Sequence, residues 1–155
     1  MTDKEKKEHI KSRLKAHYKY IESLGYEIVG VFLQGSQNYN LDIYESDYMS
    51  DVDTKCLVIP KLDNLIKGSA MVSTKYDFEG EQIDVKDVRV MMEMWKKQNQ
   101  SYIEILFTKY KLINPKYKSY VNEIIAMRDD ITQMNIPQLA RCISGMSKEI
   151  GRAHV

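Results

Sequence analysis

From Asp3 to Leu24, apolar residues recur at Ile10, Leu14, Ile21 and Leu24 while Lys and Glu fill most of the positions between. That spacing predicts an amphipathic helix with one face for a core and a lysine-rich face for water. The period then changes. Tyr26 to Leu33 (YEIVGVFL) is a β-branched and aromatic run bounded by Gly25 and Gly35, which predicts a buried strand that ends at a small-residue turn. Asp51 to Ile59 (DVDTKCLVI) predicts a second strand, and Lys61 to Lys67 a short helix stopped by Gly68. Met71 to Phe78 and Gln82 to Val85 predict two strands joined as a hairpin through Glu79-Gly80-Glu81.

Helical spacing returns over Asp87 to Gln98 (DVRVMMEMWKKQ), where a Met, Val and Trp stripe reads as core packing and two closing lysines suit the helix dipole. Asn114-Pro115 opens another helical stretch with Tyr117, Tyr120, Val121, Ile124 and Ile125 as its apolar residues, and Asn135 to Pro137 restarts a further one. The order of a helix, a mixed sheet and then helices predicts an α+β fold. The chain has 155 residues, 43% of them hydrophobic, and no internal repeat or linker, so a single domain with a real core is expected.

Charge narrows the function classes little. Lys and Arg total 23 against 22 Asp and Glu, a net charge of +1, which gives no global drive toward nucleic acid and leaves a local basic patch open. Cys56 and Cys142 stand alone in a strand and a helix and read as buried reduced thiols of a cytosolic protein. His9, His17 and His154 do not combine with them at zinc-ligand spacing. The start, MTDKEKKEH, is charged, and no segment approaches the roughly 20 apolar residues of a membrane span, so a cytoplasmic location without membrane contact is expected.

The candidate chemistry centres on Gly35-Ser36 and Asp51-Val52-Asp53. A strand's alternation puts Asp51, Asp53 and Lys55 on one face, and two like-charged carboxylates side by side call for a divalent cation. Magnesium takes one or two carboxylates and completes its octahedron with water and phosphate oxygens. Gly35 permits a sharp turn and a close approach to phosphate, and Ser36 adds a hydroxyl and an N–H. For a third carboxylate, Asp84 is the first choice, flanked by Ile83 and Val85 as a strand residue would be. Asp87 falls where the pattern turns helical and reads as a cap. Lys55 fits either a phosphate or an ion pair with an aspartate, and Glu104, in the apolar run YIEILF, reads as a structural hydrogen-bond or ion-pair partner.

The blocks LQGSQNY, SDVDTK, IDVKDVR and YIEILFTKY together resemble the DNA polymerase β nucleotidyltransferase superfamily, and most closely its small bacterial and phage members. The resemblance runs from about Val29 to Tyr117. It implies a nucleotidyltransferase-like mixed sheet, with Gly35 and Ser36 holding a nucleoside triphosphate and Asp51 and Asp53 ligating magnesium, or manganese in its place. Asp84 would complete the metal site and help activate an acceptor hydroxyl on a protein, an RNA or a small molecule. The alternative is an inactive relative that serves as a regulatory or antitoxin-type binding module. The spacer Gln37 to Ser50 is longer than usual for the family and carries a decoy, Ser46-Asp47, in which Met49 stands where the second carboxylate belongs. The closing residues Glu149 to Val155 (EIGRAHV) match one reading frame of a sequencing adapter. The expectation is a catalytic core over residues 1–148, cut short at its C-terminus, followed by a non-native tail.

Overall fold

The computed structural model describes residues 2–35, 44–45, 48–49, 51–138, 140–142 and 144–145. The chain begins with helix α1 (Asp3–Ser23), opened by a reciprocal capping box between Thr2 and Glu5. Strand β1 (Glu27–Leu33) follows, then the short pair β2 (Tyr44–Glu45) and β3 (Tyr48–Met49), then β4 (Thr54–Ile59). Helix α2 (Leu62–Ile66) leads to the hairpin of β5 (Ser73–Phe78) and β6 (Glu81–Asp87). The remainder comprises α3 (Val88–Lys96), α4 (Gln100–Ile103), β7 (Lys111–Ile113), α5 (Lys118–Ala126) and α6 (Arg128–Gln133). Residues 136–138 are helical again, where Asn135-Ile136-Pro137 predicts a restart.

The main sheet has the order β5-β6-β4-β1-β7. β4 and β6 run parallel, and every other neighbouring pair is antiparallel. The mixed α+β architecture expected from the sequence is therefore present, with α1 on one face and the later helices on the other. Ile10, Leu14 and Ile21 of α1 pack with Ile28, Val31, Leu33, Cys56, Val58, Ile83 and Val85. On the opposite face Val29, Phe32 and Leu57 meet Met91, Trp95, Ile103, Ile105, Leu106 and Val121. Leu24, predicted to join the helix's apolar stripe, is the C-cap of α1 and lies exposed.

A register shift between Ile28 and Gly30 interrupts the pairing of β1 with β4. This bulge lets Ile28 and Val31, three residues apart, share one face of a strand whose normal period is two. It also sets Gly30 tightly against β7. A Cβ at Gly30 would stand 2.8 Å from Ile113 Cδ1, 3.2 Å from Phe32 Cε2 and 3.3 Å from the Leu112 carbonyl oxygen. Gly30→Ala is expected to cost about 1–3 kcal/mol, read as a lower urea midpoint at an unchanged slope.

The hairpin turns where predicted: Glu79 and Gly80 both have positive φ, 53° and 81°, as a two-residue turn of this hand requires. At the far end of β6, Asp87 is the N-cap of α3, as its sequence position predicts. Its fully buried carboxylate accepts from Arg89 N at 2.7 Å, Arg89 Nη2 at 2.7 Å and Val72 N at 3.1 Å. Burial alone would raise its pKa, but the Arg89 and Val72 hydrogen bonds outweigh burial and hold it below the ordinary aspartate value. The stabilisation is thus complete above about pH 4 and is lost as pH falls through the folded-state value. Asp87→Ala should lower the urea midpoint at pH 7 by an amount worth about 2 kcal/mol, and the gap from wild type should shrink below pH 4.

Candidate functional site

The carboxyl end of β1 and the amino ends of β4 and β6 meet at one end of the sheet. Antiparallel pairing brings Leu33 opposite Thr54, and Gln34 N donates to the Asp53 carbonyl oxygen at 3.0 Å. Gly35 follows with φ of 89°, a left-handed conformation suited to glycine, so the sharp turn expected at the end of β1 is present. Ser36 and the spacer residues other than 44–45 and 48–49, the Ser46-Asp47 decoy among them, lie outside the described residues, as does the 149–155 tail.

The strand that carries the carboxylate motif starts later than predicted, at Thr54 instead of Asp51. The reason is visible in the partners of residues 51–53. Val52 N is bound by a side chain, Glu81 Oε2 at 2.8 Å, and Asp53 Oδ1 takes the Gln82 backbone N–H at 2.8 Å where a ladder carbonyl would otherwise sit. The alternation nevertheless persists. Val52, Thr54 and Cys56 are buried toward α1, and Lys55 lies on the opposite side, with Asp51 exposed and Asp53 partly buried.

Parallel pairing of β4 with β6 sets Asp84 directly opposite Lys55. Asp84 therefore shares the Lys55 face, one alternation step along from Asp53. Lys55 Nζ donates to Gln34 Oε1 at 2.6 Å, lies 3.5 Å from Asp84 Oδ2 and sits 4.8 Å from the centre of the Tyr102 ring. Burial pushes the Lys55 ammonium below its ordinary value, against the opposing pull of Asp84 and, more weakly, Glu104. The ion pair with an aspartate, one of the two roles open to Lys55 in the sequence, is thus formed. On the other side of Asp84, Lys86 Nζ lies 3.1 Å from Oδ1 while hydrogen bonding to Ser73 Oγ. That approach is off the hydrogen-bonding direction, and Asp84 Oδ1 is buried without a hydrogen bond.

Glu104 comes from the 3-10 turn Glu104–Leu106 that follows α4, and its Oε1 accepts from Gly35 N at 3.0 Å. The structural partner expected of Glu104 is therefore the backbone of the candidate phosphate turn itself. Cys56 is buried, and burial pushes its thiol up to about 12, which leaves it an unreactive core residue; Cys142 is only partly buried.

The donor set of Asp51, Asp53 and Asp84 is all carboxylate, which suits a hard cation such as magnesium, and Asp84 Oδ1 has no hydrogen bond, with the Lys86 ammonium 3.1 Å away as its counter-charge. Asp53 and Asp84 lie at the same end of the sheet, Asp53 bonded to Gln82 N and Asp84 opposite Lys55. Among the described residues, however, no three His, Cys, Asp or Glu side chains are gathered as the ligands of one ion.

A second polar group lies behind the motif, on the α1 face. His17 is fully buried, with Nε2 3.1 Å from Glu81 Oε1 and Nδ1 2.9 Å from Thr54 Oγ1. Arg13 pairs with the same Glu81 oxygen at 2.5 Å and with Glu79 at 2.7 Å. Burial would raise the Glu81 pKa, yet hydrogen bonds from His17, Val52 N and Arg13 hold it below its ordinary value. From sequence, His17 is weighed only as a zinc ligand and Glu81 only as a turn residue, and neither is a site candidate. His17 was legible in the stripe itself, since Ile10, Leu14, His17 and Ile21 are spaced by four, three and four, whereas Glu81 was absorbed into the turn.

No family model, curated protein or solved structure matches this chain. Among the described residues no helix is long and apolar enough to cross a membrane.

Proposed function

We propose that this chain is a nucleotidyltransferase of the DNA polymerase β type, which moves a nucleoside monophosphate from a triphosphate to an acceptor hydroxyl and releases pyrophosphate. One observation carries the reading. Asp84 falls opposite Lys55, at the sheet end where Asp53 takes the Gln82 N–H and the Gly35 turn closes β1. The fold-level part of the reading, a nucleotidyltransferase-like sheet, rests on this placement together with the sequence blocks.

In this reading Asp51, Asp53 and Asp84 hold magnesium, which supplies Lewis acidity and neutralises phosphate charge during in-line displacement. The acceptor oxygen forms a bond to the α-phosphorus as the bond to the bridging oxygen breaks, and pyrophosphate carries away the electron pair. Asp84 is the base for the acceptor proton. The Lys55 ammonium meets phosphate oxygens, and the Gly35 N–H binds a phosphate in place of Glu104.

A second reading has a specific observation in its favour. Glu104 on Gly35 N, and the two lysines beside Asp84, fill the site with the chain's own charges. An inactive, regulatory or antitoxin-type module would keep such contacts permanently. The two readings part in one assay. Each of the four α-labelled nucleoside triphosphates is incubated with the protein, magnesium or manganese, and protein, RNA or small hydroxyl-bearing acceptors. Metal-dependent pyrophosphate release with label on an acceptor supports the enzyme; a folded chain that transfers no label with any pair supports the module.

A further inference from the structure

We propose that Glu81 is a positioning residue for the Asp51/Asp53 pair, anchored to α1 through His17; this role rests on the carboxylate pair being a metal site. Val52 is fully buried, and its N–H lies before the first ladder position of β4, so it needs an acceptor from elsewhere. Glu81, 29 residues away, supplies it with Oε2 at 2.8 Å. The other oxygen, Oε1, faces His17 Nε2 at 3.1 Å, and the far side of the same imidazole reaches Thr54 Oγ1 at 2.9 Å. The imidazole thus bridges the Glu81 carboxylate and the Thr54 hydroxyl.

His17 and Glu81 together thus grip Val52 and Thr54, the two residues that flank Asp53. The third neighbour contact is also supplied from β6, where Gln82 N holds Asp53 Oδ1 at 2.8 Å. A carboxylate whose only task was to staple α1 to the sheet would need Arg13 and His17 and nothing more. The second oxygen on Val52 N instead fixes the backbone between the two aspartates. Loss of a group that orients metal ligands typically costs about 10–100-fold in metal affinity.

Two substitutions of matched length separate positioning from stapling. Glu81→Gln and Glu81→Met both abolish the carboxylate's charge and its ion pair with Arg13, but only Gln keeps an acceptor for Val52 N. Calorimetric titration with manganese alone should give a dissociation constant about tenfold weaker for Glu81→Met. Glu81→Gln should stay within about threefold of wild type, although thermal unfolding shows both variants less stable. Should Glu81→Met fail to fold, Glu81→Asp keeps the charge but draws the carboxylate back from Val52 N, and the same weakening of about tenfold is expected. Equal metal affinity in wild type, Gln and whichever of Met or Asp folds would overturn the positioning role and leave a staple. Equal weakening in Gln would overturn it as well, since the retained acceptor would then count for nothing. Absence of manganese binding by the folded wild-type chain would remove the metal reading and this role with it, an outcome distinct from binding that the variants do not change.

Discussion

Asp84→Asn is expected to destabilise the chain by about 3 kcal/mol, with a fall in melting temperature of roughly 6–12 °C. Asp84 lies between Lys55 and Lys86, with the three side chains 7%, 5% and 9% exposed. Neutralising the carboxylate leaves two ammonium groups on one face of adjacent strands with no counter-charge between them. Removing one member of such a buried set costs about 3–5 kcal/mol because the survivor's desolvation is no longer offset. The lower end applies here, since Lys55 keeps Gln34 and the Tyr102 ring and Lys86 keeps Ser73. A second substitution gives the sharper test. Lys55→Met in the Asp84→Asn background removes one of the stranded charges and should recover part of the loss, so that the two effects are not additive. A loss below about 1 kcal/mol for Asp84→Asn alone would mean that the lysines shed their charge or reach solvent without difficulty.

Trp95→Ala should cost about 3–5 kcal/mol, as truncation of a large buried aromatic does. Trp95 closes α3 and packs with Phe32, Leu57 and Val121 on the face opposite α1. Its indole Nε1 also donates to the Tyr102 carbonyl oxygen at 3.2 Å. That bond ties α3 to α4, the element that sets Tyr102 over Lys55 and leads into Glu104. Loss of packing here therefore reaches the site as well as the core. Trp95→Phe keeps most of the ring volume and forfeits the hydrogen bond, and should cost only about 1 kcal/mol plus the smaller packing loss. Urea unfolding of the two variants reads the split between packing and hydrogen bond directly.

The parts of the fold that the sequence made legible are those set by short-range pattern. β1 ends at Leu33 because the apolar run stops there, two residues before the Gly35 turn. The Glu79-Gly80 turn and the Asp87 cap are local chemistry, and their partners lie in the same hairpin or the next turn. Asp84 could be preferred over Asp87 on the same ground, and the pairing of β6 with β4 places it beside the motif strand. What the pattern did not reveal depends on distant residues. β7 is three residues long, too short for a period to register, and exists because β1 offers Gly30 to Phe32 as partners. The late start of β4 follows from Glu81 reaching Val52 N across 29 residues. His17 sits at an apolar position of α1 and is tolerated there only because Glu81 and Thr54 arrive from the sheet.

We propose that the Gly35 turn and the Asp51, Asp53 and Asp84 carboxylates form a metal-dependent nucleotide site. It is tested most directly by calorimetric titration of each of the four nucleoside triphosphates, with and without magnesium, into wild type and Asp53→Asn. The substitution is a clean one, because the Asn side-chain oxygen can still accept the Gln82 N–H that Asp53 holds at 2.8 Å. At least one triphosphate should bind wild type only when magnesium is present, and Asp53→Asn, still folded, should lose that binding. A folded wild-type chain that binds none of the four, or an Asp53→Asn variant that binds as tightly as wild type, would contradict it.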